Sequence, residues 1–394
     1  MIRICDDPKG EAYGKLIDYA VSRCSRFVLV VQDDLGFSES GKKVLAALEP
    51  HLIEKTRSDQ WPGTRILDKT AWVCYYRCSE KAAEILKEAA NSLFSWQQPA
   101  LPEDLSFLTE DGTPWLVNTA HESWAGIKGE PEEAISLSNS IQGLFLRGEF
   151  NEDFEAFIRD AVRHQPESLE VAGYRIRKLP EEIGQLHKLK QLKIFEGFVE
   201  ELPGWIGNLT ELQTLSVLTR DLREIPKEIG KLENLRRLEI GCGSYLCEEG
   251  EEVEPLGEPR LSVLPEEIGR LKQLEYLSIG CTSITRLPRE IGNLYNLKSL
   301  RLNSNSIEAL PAEIGNLKNL EFLWLDKNKL KGLPDTIGSL SKLRFLSMSD
   351  NELSRLPDTL YELKALTYIN LHNNNLPESE IHNVKRHKKI EITV

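Results

Sequence analysis

The dipeptide Leu-Pro or Ile-Pro recurs at residues 179, 202, 225, 264, 287, 310, 333 and 356, and every step is 23 residues except one of 39. A period of this length, held over eight copies, marks a chain built of stacked units, each of which can bury its apolar side only against its neighbours. The fullest copy is Leu310-Pro311-Ala-Glu-Ile314-Gly315-Asn-Leu317-Lys-Asn-Leu320-Glu-Phe-Leu323-Trp-Leu325-Asp-Lys-Asn328. The alternation Leu323-Trp324-Leu325 is that of a strand with one buried face, and Ile314, Leu317 and Leu320 point inward from the returning segment. Stacking such coils aligns the strands into a parallel sheet over a continuous leucine core. Proline fixes φ near −65° and lacks an N–H, which suits the start of the returning segment, and glycine after isoleucine relieves crowding there.

This pattern resembles the leucine-rich-repeat family in its LPxxIGxLxxLxxLxLxxN form, over residues 167–394. The resemblance implies an α/β fold: a right-handed solenoid with a parallel sheet on its concave face. Asn305, Asn328, Asn351 and Asn374 share one phase, where an amide can satisfy backbone groups of adjacent coils. Earlier coils carry Gly197, Arg220, Gly243 and Thr282 there, so ladder support is expected to weaken toward the N-terminal side. Counting by 23 predicts ten strand slots, the outermost at Leu169/Val171 and Ile392/Val394. The 39-residue step is an insertion of 39 − 23 = 16 residues within the acidic segment 243–263, read as a solvated loop because it lacks EF-hand spacing. Residues 377–394 read as a terminal cap, with a basic run at 385–389 that either caps or meets a partner.

Outward-facing slots repeat with the same period, so stacking makes them neighbours about 4.8 Å apart. The slot before each strand reads Gln191, Thr214, Arg237, Tyr276, Ser299, Phe322, Phe345 and Tyr368; the mid-strand slot adds Arg301 and Trp324. A contiguous row of rings is unusual on a solvated surface. A protein-binding site is therefore expected at Tyr276, Phe322, Trp324, Phe345 and Tyr368, flanked by Arg301, Asp326, Asp350 and His372.

Composition narrows the partners. The net charge is −13; residues 1–165 hold 18 Lys+Arg against 27 Asp+Glu, and the remainder 31 against 35. Neither part has the basic footprint of a nucleic-acid binder. No run of about 18 apolar residues could cross a bilayer, and the start, Met-Ile-Arg-Ile-Cys-Asp-Asp, lacks a secretory pattern. Seven cysteines form no CxxC pair and read as thiols in a cytoplasmic protein.

Residues 1–128 lack the repeat and read as a separate mixed α/β domain. Helices are predicted over Ala12–Cys24, from Ser38 or Ser40 through Leu48, and over Ser79–Leu93; strands over Phe27–Val31 and Trp72–Tyr76; and a hairpin over Leu105–Val117 turning at Asp111-Gly112. Residues 129–166 read as a helical linker and solenoid cap with an apolar face at Phe150, Phe154, Phe157, Ile158 and Ala161. The segments Trp61-Pro62-Gly63-Thr64, Leu101-Pro102-Glu103-Asp104-Leu105 and Pro114-Trp115-Leu116-Val117-Asn118-Thr119-Ala120-His121-Glu122 resemble a bacterial domain labelled stage III sporulation protein AH. That resemblance implies a domain boundary and a bacterial origin.

Catalytic patterns are few. Gly36-Phe-Ser-Glu-Ser-Gly41-Lys42-Lys43 nearly spells a phosphate-binding loop, but Lys43 replaces the magnesium-binding hydroxyl, and Asp33 and Asp34 put negative charge where phosphates would sit. Helix capping by Ser38 or Ser40 is the expected role, with no cofactor and no metal. His121-Glu122 beside Cys74 or Cys78 would make a thiol site only if the fold joined them. The expectation is a non-catalytic protein-binding protein. The alternative is an enzyme in the N-terminal domain whose substrate the repeats recruit.

Overall fold

The computed structural model describes residues 1–219, 221–241, 259–387 and 390–393. It contains two compact units, Met1–Pro166 and Glu167–Val394.

The N-terminal unit runs β1 (Ile2–Ile4), α1 (Glu11–Arg23), β2 (Arg26–Val31), α2 (Glu39–Leu48), β3 (Leu52–Ser58), β4 (Gln60–Trp61), β5 (Thr64–Arg65), β6 (Ala71–Arg77), α3 (Glu80–Ala89), β7 (Glu103–Leu108), β8 (Pro114–Thr119), β9 (Trp124–Ile127), α4 (Pro131–Ser140), β10 (Leu146–Arg147) and α5 (Phe154–His164). Eight strands form one sheet in the order β10-β1-β9-β8-β7-β2-β6-β3, and every pairing is antiparallel. Both faces are covered, which is why β2 is an unbroken apolar run rather than an alternation. Phe27 and Leu29 enter a core with Tyr13, Leu16 and Ile17 of α1 and Leu86 of α3. Val28 and Val30 meet Val73 and Trp61 in a second cluster on the other face.

The predicted helices and the β7–β8 hairpin form, with Gly112 at φ 83° in the turn. The domain boundary expected at 128 falls inside this unit: Ala134, Leu137, Leu144 and Leu146 belong to its core, and β10 pairs with β1. Residues 131–166 therefore contribute a strand as well as helices. Ser38 caps α2 by accepting the Gly41 N–H at 3.3 Å. The helix begins inside the loop-like motif, Lys42 pairs with Glu39 at 2.8 Å, and a Cβ on Gly41 would lie 3.0 Å from the Ala100 carbonyl. Gly41 is thus spent on close packing.

In the second unit β11 (Ser168–Ala172), β12 (Gln191–Phe195), β13 (Thr214–Leu218), β14 (Arg237–Gly241), β15 (Tyr276–Ile279), β16 (Ser299–Arg301), β17 (Phe322–Trp324), β18 (Phe345–Ser347) and β19 (Tyr368–Asn370) lead to α6 (Glu378–His387) and β20 (Glu391–Thr393). All ten strands join one parallel sheet in chain order, matching the ten predicted slots. Each coil returns through a short 3-10 segment that follows proline, such as Ala312–Asn316. The glycine after isoleucine is required by close approach: a Cβ on Gly315 would sit 2.5 Å from the Thr336 carbonyl of the next coil. That slot becomes Tyr361 in the coil of β19, after which the chain returns through α6 instead of a 3-10 segment.

The asparagine ladder forms as predicted. Asn328 Nδ2 donates to Leu302 O (2.9 Å) and Leu325 O (3.0 Å), while its Oδ1 accepts Ile307 N–H (3.0 Å). Asn351 repeats this with Leu325 O, Met348 O and Leu330 N–H. The preceding residues Ser304, Lys327, Asp350 and Asn373 all have φ near 55°, so the strand stops and turns there. Where the asparagine is missing, β11 to β14 run five residues instead of three, and backbone pairing takes over the role of the amides. Glu196 adds a local substitute, accepting the N–H groups of Tyr174 (2.6 Å) and Arg175 (2.9 Å).

A second column fixes coil order by charge. Glu167 pairs with Lys190 at 2.7 Å, and Glu275 bridges Arg236 (3.0 Å) and Lys298 (2.6 Å) in the coils before and after it. These exposed pairs contribute little energy each, but a slipped register would bring like charges together.

The acidic insertion lies outside the described residues apart from 259–263. Across it, β14 and β15 pair directly, Arg237 with Tyr276 through Ile240 with Ile279, so the stack keeps its register. Deleting Ser244–Glu258 is expected to change unfolding free energy by less than about 1 kcal/mol, because shortening a loop alters closure entropy only slowly. Thermal denaturation of the deletion variant checks this; a large fall in Tm would mean that the segment is packed.

Candidate partner-binding surface

Parallel register carries the outward side chains of β14 to β19 into two adjacent columns. Arg237 stands beside Tyr276, Arg301 beside Trp324, Phe322 beside Phe345 and Phe345 beside Tyr368. The Arg237 guanidinium lies 3.8 Å from the Tyr276 ring centre, and that of Arg301 lies 4.3 Å from Trp324 and 5.8 Å from Tyr276. Rings continue the chain: Phe322–Trp324 at 5.6 Å, Trp324–Phe345 at 5.1 Å and Phe345–Tyr368 at 4.6 Å, the last nearly parallel. Each such contact contributes about 0.5–1.5 kcal/mol between rings and about 0.5–1 kcal/mol for an exposed cation over a ring. The rings are partly buried, largely by one another, while Leu323 and Leu325 beneath them are fully buried. The row is thus rigid before any partner arrives.

Six of the nine expected site residues meet in this chain: Tyr276, Arg301, Phe322, Trp324, Phe345 and Tyr368. The other three differ. Asp326 turns one carboxylate oxygen to its neighbours, accepting the Ser349 N–H and hydroxyl at 2.8 Å and the Ser347 hydroxyl. Asp350 accepts the Asn373 amide at 2.7 Å. His372 is exposed, at the Tyr368 end of the row. Arg237 was missed by reading the column for aromatics alone, although its slot is that of Tyr276. It is held by Glu239, whose other oxygen accepts the Ser216 hydroxyl at 2.8 Å.

The N-terminal unit does not assemble the imagined thiol site. Cys74 faces the core that holds Phe27 and Leu86, whereas Trp61, the partner of the carboxylate beside His121, packs with Val73 on the opposite face. Burial pushes the thiols of Cys24 and Cys78 up to about 12 and raises that of Cys74. A thiol nucleophile needs the thiolate, which burial disfavours at all three positions. Brief iodoacetamide treatment of folded protein is expected to spare Cys24, Cys74 and Cys78 and to label them once denatured, as read by peptide mass spectrometry. Rapid labelling of native Cys74 or Cys78 would reinstate a reactive thiol.

What His121 does meet is carboxylate. Asp104 is fully buried with φ 57°. Its Oδ2 accepts Trp61 Nε1–H (2.8 Å) and the Thr64 hydroxyl (3.4 Å), and its Oδ1 accepts Ala120 N–H (3.0 Å). Burial raises the carboxyl pKa values of both Asp104 and neighbouring Glu103.

No helix among the described residues is long and apolar enough to cross a membrane. None of the five described cysteines is in a disulfide. Family comparison matches residues 167–258 and 255–324 to a leucine-rich repeat region and residues 323–376 to a leucine rich repeat. No curated protein matches the chain. Among solved structures, it is similar to a leucine-rich-repeat protein of Leptospira interrogans, at 29% identity over 60% of this chain and 74% of that one, with a TM-score of 0.40. An internalin, InlF of Listeria monocytogenes, is similar at 17% identity over 61% and 72%, with a TM-score of 0.43. Proteins of this architecture generally serve as protein-interaction modules. With repeat, parallel stack and family match agreeing over residues 167–376, the chain belongs to the leucine-rich-repeat proteins.

Proposed function

We propose that the sheet face of β15 to β19 binds a protein, and that the chain is a non-catalytic recognition or scaffold protein of the bacterial cytoplasm. The observation that carries this reading is the unbroken run of contacts from Arg237 to Tyr368, with partly exposed rings held in place by one another. Preordered aromatics lose little entropy on binding and commonly provide most of an interface's energy. Arg301 can add a charged or stacking contact at the centre, and His372 and the remaining oxygens of Asp326 and Asp350 form the rim. An acidic chain of this kind does not suit nucleic acid. Thiols outside disulfides fit a reducing compartment.

The test uses a photoreactive residue at Phe345 and, as control, at Tyr295, which is exposed on the segment before β16 and away from the strand. Expected is a discrete protein adduct from position 345 that unlabelled wild-type protein competes away. Equal, non-competed labelling from both positions would remove the sheet face as the recognition surface.

A further inference from the structure

Three segments of the N-terminal unit, 61–64, 101–105 and 114–122, converge on one carboxylate. Glu103 and Asp104 are 5% and 0% exposed, and His121 approaches with Nδ1 3.5 Å from Asp104 Oδ1. One ligand atom from each of Glu103, Asp104 and His121 lies within 4.8 Å of the others. Two adjacent buried carboxylates repel each other unless a proton or a cation intervenes. Among the described residues no lysine or arginine pairs with either; Glu103 accepts the Gln32 amide, at 2.5 Å, and a backbone N–H of Gln98, and Asp104 has the neutral donors given above and the His121 ring.

An independent feature points to the same place. The Thr119 hydroxyl is buried without a hydrogen-bond partner. It stands beneath Gly63, where a Cβ would lie 2.9 Å from it, and Gly63 lies in the turn between Trp61 and Thr64, both of which bond to Asp104. A buried hydroxyl of this kind is ordinarily satisfied by a water or a ligand.

We infer that Glu103, Asp104 and His121 hold a zinc-type divalent cation, and that the Thr119 hydroxyl meets a water in its coordination shell. Mixed imidazole and carboxylate donors suit zinc or a neighbouring first-row metal, whereas calcium prefers six to eight oxygens. Bonds of about 2.0–2.2 Å place ligand atoms roughly 3–4 Å apart around such an ion, so the His121–Asp104 spacing already fits and half-exposed His121 supplies the remaining movement. Glu122 lies behind the ring, 3.9 Å from Nε2, beyond hydrogen-bond distance. The three ligands leave further coordination positions open.

The test uses the full chain, freed of metal by chelation. Zn2+ is titrated by calorimetry, and Co2+ by visible absorption, into wild type, His121→Ala and Glu103→Gln. Asp104 is left intact because it ties three segments together. Expected is saturable uptake of one ion by wild type, at least about tenfold weaker in each variant. Absence of saturable uptake by folded wild type overturns the site, as does equal uptake by both variants. Should a variant fail to fold, acylation of His121 by diethyl pyrocarbonate decides on wild type: saturating Zn2+ protects it if it is a ligand, and undiminished acylation overturns the site.

Discussion

Replacing Asn328 with alanine is expected to destabilise the solenoid by about 3 kcal/mol, the largest single-residue effect we anticipate outside its leucines. The Ile307 N–H loses its acceptor, at 3.0 Å, in a buried position, and an orphaned buried group costs about 1–3 kcal/mol. The carbonyls of Leu302 and Leu325 each lose a donor at the same time, though each keeps one from Asn305 or Asn351. For a unit of this size the loss corresponds to about 6–12 °C in Tm. Thermal denaturation checks the size, and hydrogen exchange at Ile307 and Leu330 checks the location. A loss below about 1 kcal/mol would mean that the ladder is decoration on a sheet that stands without it. Asn328→Asp is an informative companion, because it keeps the acceptor for Ile307 and removes the donors.

Much of this ladder was legible because its residues recur at one phase, and stacking can place them only in one column. The strand slots, the aromatic row and the spacing glycines were readable for the same reason. What replaced the ladder in the early coils was not legible: Glu196 lies one residue before the asparagine phase, and its burial depends on two N–H groups from the preceding coil. Asp326 was read as part of the binding rim, yet it serves Ser347 and Ser349, which become its neighbours only once coils stack. In the N-terminal unit the long amphipathic helices and β2 were recognisable. Short strands such as β1, β9 and β10 were not, since two to four residues carry no period. The Glu103–Asp104–His121 cluster was hidden too, because residues 17 and 18 apart meet only through the β7–β8 hairpin and the left-handed backbone at Asp104.

Joint replacement of Trp324 and Phe345 by alanine bears on the binding face itself. The pair removes three ring contacts and the Arg301 cation contact, so a stability loss of about 2–5 kcal/mol accompanies it. The leucines beneath remain buried, and the folded state persists at 25 °C. Affinity should fall as well, since two central hot-spot residues together contribute about 3–4 kcal/mol to a typical interface, or several hundredfold in Kd. The decisive measurement is the Kd of the photo-crosslinked partner for folded wild type and for folded Trp324→Ala/Phe345→Ala, in the same buffer and with folding verified by circular dichroism. A rise in Kd of about a hundredfold or more is the predicted result. An unchanged Kd would contradict the account, because the partner would then be held by some other part of the chain.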